Sequence, residues 1–467
     1  MKIMLIIPPS SMKQRYGEYE AVGSLYLPLG LAYIGAIGKA ANHQLKVIDS
    51  EILQYSYDDI RREVIEFSPD LIGMQTFTST IDYCYQIAEI VKTANQKIKV
   101  VLGGSHATTH PQEVIGNPDV DFVVVGEGEL VFNNLLKTID EESDCSRVNG
   151  LVWKNNGTIT TNKKQDFIKN LDEVPFPARE LFPMTRYHSS AQLRGRRTLH
   201  LVTARGCPFR CSFCSSFLSS GRTLRHHSAE RVIQEVKVLV YEYKADGIQF
   251  YDEVFTVNRE RVLAICDLLQ KKNLKVPWSC FTRVDQVDRE LLRRMKEAGC
   301  YQIFYGVETG IPRLLELLKK DIDIEQIKEC FKLTKEAGIE IHASLMLGLP
   351  TETVEESYQT FNFIINLDPD YVQWEKYNPA PRTELYNLAL KSGKFITTDR
   401  TKFDGWSSLV YVPAGREALE IIKTEKRFYR KFYLRPALIC RYFSSIIRLP
   451  FRKQIKLLRA GIRKFFN

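Results

Sequence analysis

Short apolar runs alternate with helical patterns along the first 140 residues, and this alternation constrains the fold more tightly than any other feature of the sequence. The runs have the length and composition of strands, and they lie at residues 2–7, 45–48, 71–75, 99–102 and 122–125. Because helices intervene between successive strands, we expect the strands to be parallel. The pattern therefore predicts an α/β fold that begins with a doubly wound parallel sheet.

The ends of these predicted strands carry residues that suit ligand binding. Open parallel sheets bind ligands at the carboxyl ends of their strands, where this sequence has Pro9, Asp49, Thr76, Ser79, Gly103, Gly104, Gly126 and Glu127. Glycines allow a ligand to approach the backbone closely, and hydroxyl and N–H groups bind phosphate or amide groups. Glycine pairs also form ordinary turns, but five such loops at one edge of a sheet favour a binding site.

A break in the alternation separates this region from the next. Two strand-like runs on either side of a turn at residues 155–157 predict a hairpin. Pro175 and Pro177 then resist regular structure and mark a linker. We therefore predict a doubly wound domain at residues 1–145, followed by a hairpin and linker at residues 146–194.

The alternation resumes at Thr198 and predicts a second domain. Strand-like runs followed by helical patterns lie at residues 198–204, 247–251, 278–282, 302–305, 341–347 and 371–377. Six β/α units are typical of a partial parallel barrel, in which functional groups lie at the carboxyl ends of the strands. We expect this barrel at residues 195–400 and a basic, mostly helical region at residues 401–467.

Three closely spaced cysteines follow the first predicted strand of the barrel. Cys207, Cys211 and Cys214 have three and then two residues between them. Thiolates this close together are able to bind three irons of one four-iron, four-sulfur (4Fe-4S) cluster, whose usual protein ligands are cysteines. No fourth ligand is nearby in the sequence, so the fourth iron would be open to a substrate or a cofactor.

Two other interpretations of the cysteines are weaker. A disulfide would leave one thiol over, and ten cysteines in a long chain with no secretory signal are typical of a reducing, cytoplasmic setting. A zinc site could use Cys211 and Cys214 with His226 or His227. That site would need a fourth ligand, and it would leave Cys207 unused.

Two apolar stretches bear on the localisation. The first run ends at Pro8 and Pro9 and is shorter than the apolar part of an export signal. The uncharged stretch at residues 22–38 approaches the length of a membrane span, but its glycines and proline favour a packed helix. We therefore predict a globular, cytoplasmic protein.

The positive charge of the chain is concentrated at its C-terminal end. The formal net charge is +9, and residues 426–467 contain 13 Lys and Arg and no acidic residue. Bulky apolar residues are interleaved with these charges, which is typical of helices on anionic membrane surfaces. A helical cap on the barrel explains the pattern equally well, and nucleic-acid binding explains it less well.

These motifs resemble those of the radical S-adenosylmethionine (SAM) superfamily, and specifically its cobalamin-binding branch. The three cysteines, with the aromatic Phe213 before the last of them, carry the first resemblance. The second rests on N-terminal segments at residues 8–9, 28–34, 69–73, 101–108 and 126–129. The branch includes radical SAM methyltransferases, hopanoid methylases and anaerobic magnesium-protoporphyrin ester cyclases. The resemblance implies a Rossmann-like cobalamin domain followed by a radical SAM barrel.

The resemblance also implies roles for residues of the barrel. The three cysteines would bind a 4Fe-4S cluster whose open iron binds the amino and carboxylate groups of SAM. Other strand ends would contact SAM through Phe213, Asp252, Glu253, Arg283, Glu308 and Gly348. Structural roles are the alternative, because Asp252 and Glu308 are suited to capping helices and Arg283 to a surface ion pair.

In the N-terminal domain the resemblance implies a cobalamin site. The residues in contact with cobalamin would be residues at the predicted strand ends, namely Pro9, Thr76, Ser79, Gly103, Gly104, Gly126 and Glu127. The sequence departs from one cobalamin pattern, because no Asp-x-His-x-x-Gly follows the first strand. Ligation of cobalt by a histidine is therefore in doubt, and His106 is better suited to leading a helix or binding an amide.

The implied activity is reductive cleavage of SAM and methylation of an unactivated carbon atom. The substrate would be hydrophobic, such as a lipid, an isoprenoid or a tetrapyrrole, reached at the inner face of a membrane through the basic tail. Flavodoxin or ferredoxin would supply the electron.

Oxidative cyclisation or rearrangement is the alternative reaction, and a non-enzymatic cobalamin or redox-binding module is a weaker alternative. A methylthiotransferase is disfavoured because the N-terminal half offers only Cys84 and Cys145 for a second cluster.

Overall fold

A computed structural model of the protein describes residues 1–16, 20, 23–155, 157–190, 192–404, 408–436 and 438–439. The described strands of the N-terminal half are β1 (Lys2–Ile7), β2 (Gln44–Asp49), β3 (Leu71–Gln75), β4 (Lys99–Gly103), β5 (Phe122–Val124), β6 (Leu151–Asn155) and β7 (Thr158–Thr161). The helices between them are α1 (Met12–Tyr16), α2 (Leu29–Ala40), α3 (Ser50–Leu53), α4 (Tyr57–Phe67), α5 (Ile81–Ala94), α6 (Ser105–Thr109), α7 (Pro111–Gly116) and α8 (Gly128–Asp140).

The N-terminal strands form one sheet in the order β2-β1-β3-β4-β5-β6-β7. The first five pair in parallel, which confirms the predicted doubly wound sheet. The strand order reverses between β1 and β3, and such a reversal opens a crevice for ligands at the carboxyl ends of the strands. The predicted hairpin forms, but β6 pairs antiparallel with β5 and so extends the sheet instead of standing apart in the linker.

The first strand illustrates why these residues form a buried sheet. Ile3, Met4, Leu5 and Ile6 are all fully buried, as expected for a parallel strand covered by helices on both faces. Ile3 and Leu5 belong to one apolar cluster, and Met4 and Ile6 belong to another. The cluster that contains Ile3 continues into the barrel as far as Leu199 and beyond. The two halves of the protein therefore share one core.

The second half is a curled parallel sheet. Its strands, with a short bridging pair, are β8 (Thr198–Leu201), β9 (Ala204–Arg205), β10 (Arg225–His226), β11 (Gly247–Phe250), β12 (Trp278–Arg283), β13 (Cys300–Glu308), β14 (Glu340–Leu347) and β15 (Tyr371–Lys376). Its helices are α9 (Ser216–Ser220), α10 (Ala229–Lys237), α11 (Arg259–Lys271), α12 (Arg289–Glu297), α13 (Pro312–Leu317), α14 (Ile324–Glu336), α15 (Val354–Leu367) and α16 (Glu384–Ser392).

The six strands β15-β14-β13-β12-β11-β8 lie side by side and all neighbours are parallel, which confirms the partial barrel. Strand β8, the first of the six along the chain, is shorter than the predicted strand at residues 198–204. The backbone N–H and the hydroxyl of Thr203 donate to the Asp252 carboxylate, each at 2.5 Å, and these bonds draw the chain away from the sheet. The cysteine loop therefore starts one turn earlier than the apolar pattern indicates.

The chain then adds a small antiparallel pair, β16 (Gly393–Phe395) and β17 (Tyr411–Pro413), and the helix α17 (Ala418–Tyr433). The apolar side of α17 packs on the barrel, where Phe428 and Phe432 are fully buried and the Phe428 ring stacks on that of Phe361 at 4.5 Å. The cap alternative therefore holds for this first part of the basic tail. Residues 440–467, which carry most of the predicted membrane-binding charge, lie outside the described residues.

Strand β15 is an edge of the barrel sheet, and α17 covers that edge. The Tyr433 hydroxyl accepts from Val372 N at 3.2 Å and donates to Val372 O at 3.0 Å. The Tyr429 hydroxyl does the same for Trp374, at 2.9 and 3.2 Å. Unpaired edge groups invite association with other chains, and here two side chains satisfy four of them.

In the described part of the chain, every helix is too short or too polar to span a lipid bilayer. The uncharged stretch at residues 22–38 contributes to α2, whose residues Leu31, Ala32 and Tyr33 are buried. The prediction of a packed helix for this stretch is therefore confirmed.

Candidate active site

A large cavity lies between the two sheets. Its volume is about 2030 Å³, whereas pockets for a single small ligand usually measure about 300–1,000 Å³. One wall consists of the carboxyl ends of the N-terminal strands, and the other is the interior of the barrel. The cavity is therefore large enough to hold more than one ligand at once.

The cysteine loop is fixed in a tight conformation at one side of this cavity. Gly206 has a φ of +85°, and a Cβ there would lie 2.3 Å from Thr223 O, so only glycine fits before the first cysteine. Cys207 N donates to Gly221 O at 3.2 Å, and Cys214 N donates to Cys211 O at 3.3 Å. All three cysteines line the cavity.

The surroundings of the thiols affect their ionisation. Burial raises the pKa of the Cys207 and Cys211 thiols. Lys320 and Arg283 act in the opposite direction on Cys211, because nearby positive charge stabilises a thiolate. A metal bound at these thiols would displace their protons, so binding would be coupled to proton release.

Within the described residues, every cysteine is a free thiol, and both histidines of the zinc alternative have partners outside the cysteine loop. His226 Nε2 lies 3.0 Å from Asn258 Nδ2. His227 Nδ1 lies 3.1 Å from Asp172 Oδ1. Both histidines of the zinc alternative are therefore engaged elsewhere.

Arg283 is a buried anchor of the cysteine loop, not a surface ion pair. Its Nη1 donates to Cys211 Sγ at 3.6 Å, and its guanidinium lies over the Phe209 ring at 3.8 Å from the centroid. Nε donates to Asp285 Oδ1 at 2.8 Å, and Nη2 donates to Lys320 O at 2.5 Å. Arg283 therefore connects the loop to the end of β12 and to the turn after α13.

Glu308 forms a buried ion pair at the cavity wall. Lys320 Nζ donates to Glu308 Oε1 at 2.6 Å, and the two side chains are 5% and 8% exposed. Glu308 has a φ of +68°, a strained conformation that persists at functional sites only where the surroundings impose it. A Cβ on Gly306 would lie 2.5 Å from Glu308 Oε1. Glu308 caps no helix, because α13 starts at Pro312.

Glu253 and Phe213 also line the cavity, as the predicted SAM contacts require. Glu253 is exposed to the cavity. The surrounding protein nevertheless desolvates its carboxyl group and thereby raises its pKa. The Phe213 ring centroid lies 5.8 Å from Lys320 Nζ. The contacts of Arg283, Glu308, Glu253 and Phe213 with SAM stay predictions.

Asp252 and Gly348 do not line the cavity, and their placement does not support the predicted SAM contacts. The Asp252 carboxylate accepts from Thr203 and Ala204 and pairs with Arg261 at 3.4 Å, so it supports the loop after β8. Gly348 N donates to the buried Glu352 carboxylate at 2.5 Å. Burial raises the pKa of Glu352 to about 7, against the opposing charge of Arg416.

The wall formed by the N-terminal sheet presents hydroxyl groups and apolar surface. Ser79 lines the cavity, as predicted, together with Thr78, Thr80 and Ser105. Phe77 also lines it, and 48% of its surface is exposed. A large exposed apolar side chain in a cavity is a surface that a ligand can cover.

The other residues predicted to contact cobalamin lie behind this wall. Thr76 is fully buried, donates to Gly103 O at 2.9 Å and accepts from Ala107 N at 3.1 Å. Gly104 packs against the Thr76 backbone, and Gly126 N donates to Thr108 Oγ1 at 3.0 Å. Pro8 lines the cavity, whereas Pro9 does not. These residues shape the strand ends without facing the cavity.

Glu127 connects the two halves instead of facing the cavity. Its carboxylate accepts from Arg225 Nη1 at 2.8 Å and from Ile168 N at 2.9 Å. Arg205, two residues before the first cysteine, pairs with Glu129 at 2.6 Å and approaches Glu127 at 3.4 Å. The predicted position of Glu127 beside the corrin is therefore not supported, because its charge is used in this buried network.

His106 also lies away from the cavity. Its Nδ1 is 3.1 Å from Thr78 Oγ1, and its ring stacks on His110 at 4.8 Å. Burial lowers the pKa of His106. The histidines that do line the cavity are His200 and His342, both on barrel strands. The doubt about a histidine ligand to cobalt from the N-terminal loops is consistent with this arrangement.

Sequence reasoning missed Lys320 and Glu375, which also line the cavity. Nothing in the sequence distinguishes Lys320 from its exposed neighbour Lys319, because the difference arises from the turn after α13. The position of Glu375, in contrast, was predictable from the sequence. Tyr371, Gln373 and Glu375 alternate with apolar residues along β15, and such alternation places polar side chains on one face of a strand.

The residues present suit the three groups that the motifs imply. Three free thiols face one cavity from one loop, which is the donor set of an open 4Fe-4S cluster. Paired and unpaired charges surround them, which suits the amino, carboxylate and hydroxyl groups of SAM. The opposite wall combines exposed Phe77 with hydroxyl groups, which suits a large cofactor with both apolar and amide surfaces.

Comparison with known proteins agrees with this arrangement. The B12 binding domain model matches residues 20–136, and the Radical SAM superfamily model matches residues 201–364. The sequence is 34% identical over 440 residues to an uncharacterised methyltransferase of Pyrococcus horikoshii, covering 94% of each chain. It is 28% identical over 447 residues to the anaerobic magnesium-protoporphyrin IX monomethyl ester cyclase of Rubrivivax gelatinosus, covering 94% of this chain and 78% of the cyclase.

A solved structure has the same fold. The radical SAM methyltransferase TsrM of Kitasatospora setae, with cobalamin and a 4Fe-4S cluster bound, superposes with a TM-score of 0.71 over 93% of this chain and 89% of its own, at 14% identity. The domain matches and this fold agree on a 4Fe-4S cluster, SAM and cobalamin as the cofactors. The chain belongs to the cobalamin-binding branch of the radical SAM superfamily and is a methyltransferase-like radical SAM enzyme.

Proposed function

We propose that this enzyme transfers a methyl group to a carbon atom of a substrate with a large apolar surface. The observation that carries the proposal is the single cavity, because the three thiols and the strand ends of the N-terminal sheet line the same space. A substrate in that space would be within reach of both walls. When bound, the cluster and cobalamin supply the electron for the cleavage of SAM and the methyl group, respectively.

In this proposal the charged residues of the barrel wall bind SAM. Arg283 would stabilise the Cys211 thiolate, since its Nη1 lies 3.6 Å from the sulfur. Glu308, held by Lys320 at 2.6 Å, would accept hydrogen bonds from the ribose hydroxyls. Glu253 would accept from the amino group, and Phe213 would flank the adenine. Strained and buried groups of this kind are characteristic of binding sites.

The apolar part of the cavity supports an apolar substrate. Tyr251 lines the cavity with 43% of its surface exposed, and Phe281 and Phe304 line it as well. Covering exposed aromatic surface favours binding by about 25 cal/mol per Å². Walls of this kind also exclude water from a reactive centre.

The electron donor and the membrane contact are part of the same proposal. Arg210 lies between two of the cysteines and is exposed, so the loop offers a charged surface to a small electron-transfer protein such as flavodoxin or ferredoxin. Peripheral membrane contact would rest on residues 440–467, since the apolar face of α17 is used in packing. Retention by vesicles with anionic lipid at low salt would support this contact, and failure of the full chain to bind would remove it.

Oxidative cyclisation or rearrangement is the second candidate reaction. The similarity to the cyclase of Rubrivivax gelatinosus over 94% of this chain favours it. The 34% identity to the methyltransferase of Pyrococcus horikoshii is higher over the same share of the chain, so we rank methylation first.

Anaerobic reconstitution tests the proposal. The protein is loaded with iron, sulfide and cobalamin, then supplied with dithionite and SAM, and the products are measured by mass spectrometry. Methylation predicts both 5′-deoxyadenosine and S-adenosylhomocysteine. 5′-Deoxyadenosine without S-adenosylhomocysteine would favour the second reaction, and neither product from a fully loaded protein would remove both.

A further inference from the structure

We propose that the barrel side of the cavity contains a substrate subsite for a flat, apolar molecule that bears a hydrogen-bond donor, preferably a protonated amine, and that Glu375 binds this donor. The inference rests on the proposed function, because it specifies the substrate class of the same cavity. Three independent features of the barrel interior support it: a row of aromatic rings, a carboxyl group without a cationic partner, and buried polar atoms without partners.

The aromatic row crosses the barrel from strand to strand. The rings of Tyr251 and Phe281 lie 4.9 Å apart, and those of Phe281 and Phe304 stack at 4.5 Å. The row continues to His342 at 4.4 Å and then to Tyr371 at 5.9 Å. All five residues line the cavity. The central rings cover one another's faces, so their edges and the rings at the ends of the row remain for a ligand. Ring edges pack against a flat apolar group in the edge-to-face arrangement that aromatic pairs favour, so this row defines a surface for a planar substrate.

The row follows from the register of the strands. Phe281 pairs with Phe304 across β12 and β13, and Phe304 pairs with His342 across β13 and β14. His342 pairs with Tyr371 across β14 and β15. Because side chains at paired positions lie on the same face of a sheet, the row is a fixed property of the barrel and needs no rearrangement to form.

Glu375 lies on the last of these strands, two residues beyond Gln373. Gln373 Nε2 donates to its Oε1, and within the described residues no Lys or Arg is in salt-bridge contact with it. Two nearby carboxylates differ, since Glu308 of the barrel pairs with Lys320 at 2.6 Å and Glu425 of α17 pairs with Lys376 at 2.8 Å. Buried carboxyls are normally paired, so Glu375 is left with capacity for an external donor.

Unpartnered polar atoms lie in the aromatic row itself. His342 is 1% exposed, and neither of its ring nitrogens has a hydrogen-bond partner. Burial lowers the pKa of His342 to about 3, so the neutral ring offers one donor and one acceptor. Buried polar atoms nearly always have partners in folded proteins.

The charges around Glu375 favour a cation over an anion. Burial and the neighbouring Glu308 raise the pKa of Glu375 to about 7, in agreement with the lack of a Lys or Arg contact to this carboxyl among the described residues. A substrate ammonium group would supply that charge and stabilise the carboxylate. A substrate carboxylate at the same position would meet Glu375 and Glu308 and be repelled.

Binding of three matched probes tests the subsite without requiring turnover. The probes are 1-naphthylmethylamine, 1-naphthylmethanol and 1-naphthylacetate, measured by anaerobic equilibrium dialysis against holoenzyme loaded with cluster, cobalamin and SAM. We expect the amine to bind at least about 10-fold more tightly than the acetate, with the alcohol between them. In Glu375→Gln the amine should lose about 10-fold in affinity, while the affinity of the alcohol changes less than about 3-fold.

Control variants separate this subsite from general effects. Glu355→Gln removes an exposed carboxyl on α15 and should leave all three affinities unchanged. Phe304→Ala should weaken all three probes by similar factors. Equal binding of acetate and amine, or an unchanged amine preference in Glu375→Gln, would overturn the proposal. Because dialysis requires no methyl transfer, S-adenosylhomocysteine formation without amine preference would remove only the subsite, and amine preference without S-adenosylhomocysteine formation would leave it standing.

Discussion

The two walls of the cavity use their strand ends in different ways. The barrel directs charged side chains into the cavity, namely Arg283 beside Cys211, Glu308 with Lys320, and Glu253. The N-terminal sheet presents hydroxyl groups and Phe77 to the cavity, with Asp49 and Glu51 at the carboxyl end of β2. Its acidic residues Glu127 and Glu129 hold Arg225 and Arg205, which flank the cysteine loop.

The two walls thus use charged side chains for two purposes, which are binding a ligand and stabilising the structure around the site. Charges in a cavity remain available to a ligand, whereas charges paired at an interface fix the geometry of what they join. The barrel wall therefore acts on the ligand directly. The N-terminal wall acts partly at a distance, through Glu127 and Arg225, on the loop that carries Cys207. The experiments below distinguish these two modes of action.

The largest expected effect comes from Cys211→Ala. Loss of one of three ligands should abolish cluster retention and SAM cleavage, while the N-terminal sheet and cobalamin retention persist, because the change lies on the barrel wall. Iron content, absorbance of the cluster and 5′-deoxyadenosine formation are the measurements. Cys145→Ala, on the N-terminal side, is the control. SAM cleavage by Cys211→Ala at the wild-type rate would remove the assignment of the site.

Next comes Glu127→Gln, which tests support at a distance. It leaves Arg225 buried without its carboxylate, and breaking a buried pair costs about 3–5 kcal/mol of unfolding free energy. Guanidinium denaturation of the apoprotein gives this value, with Glu141→Gln, exposed at the other end of α8, as the control. An unfolding free energy equal to that of the wild type would show that the interface network does not hold the two halves together.

Lys320→Met tests binding by charge on the barrel wall. Without Lys320 the Glu308 carboxylate loses the buried ion pair that holds it in place, so we expect SAM to bind about 10- to 100-fold more weakly. Calorimetric titration of the reconstituted enzyme measures this change. Lys319→Met removes the exposed neighbouring lysine, and its SAM affinity should match that of the wild type. Equal affinity in both variants would place SAM away from Glu308.

The smallest expected effect is on the pH dependence of the unfolding free energy, and it arises from the Glu375 carboxyl. Its pKa in the folded protein is about 7, above the ordinary value of 4.5. Between these values the folded state holds a proton that the unfolded state has lost, so the unfolding free energy falls as the pH rises. Relative to wild type, Glu375→Gln should therefore gain about 1–3 kcal/mol between pH 4.5 and pH 8. A difference that does not change with pH would contradict the assignment.

The sequence predicted the architecture well because both halves depend on strongly periodic apolar patterns. The order of elements, the partial barrel and the cysteine loop all follow from such patterns or from close spacing. The hairpin of β6 and β7 extends the first sheet and is not part of the linker. Pairing of β5 with β6 brings together residues that are far apart in the chain, and the residues of the local turn do not specify it.

Individual site residues were less predictable, and the reason is visible in Asp252 and Glu253. They are neighbours at one strand end, yet Asp252 is used by Thr203 and Arg261 while Glu253 faces the cavity. Which of two adjacent carboxylates points inward depends on strand alternation at a loop whose start the sequence does not fix. The pairing of Glu127 was unpredictable for a similar reason, since its partner Arg225 lies 98 residues away in the chain.

The closure of β15 by Tyr429 and Tyr433 differs from closure by a further strand. A strand held by another strand separates only when a whole series of bonds breaks together. Here the hydrogen bonds of one hydroxyl group break independently of those of the other. Breaking each hydrogen bond costs about 0.5–1.5 kcal/mol. The side of the barrel that carries Glu375 is therefore closed by side chains of α17 and not by a further strand, so its closure depends on how that helix packs.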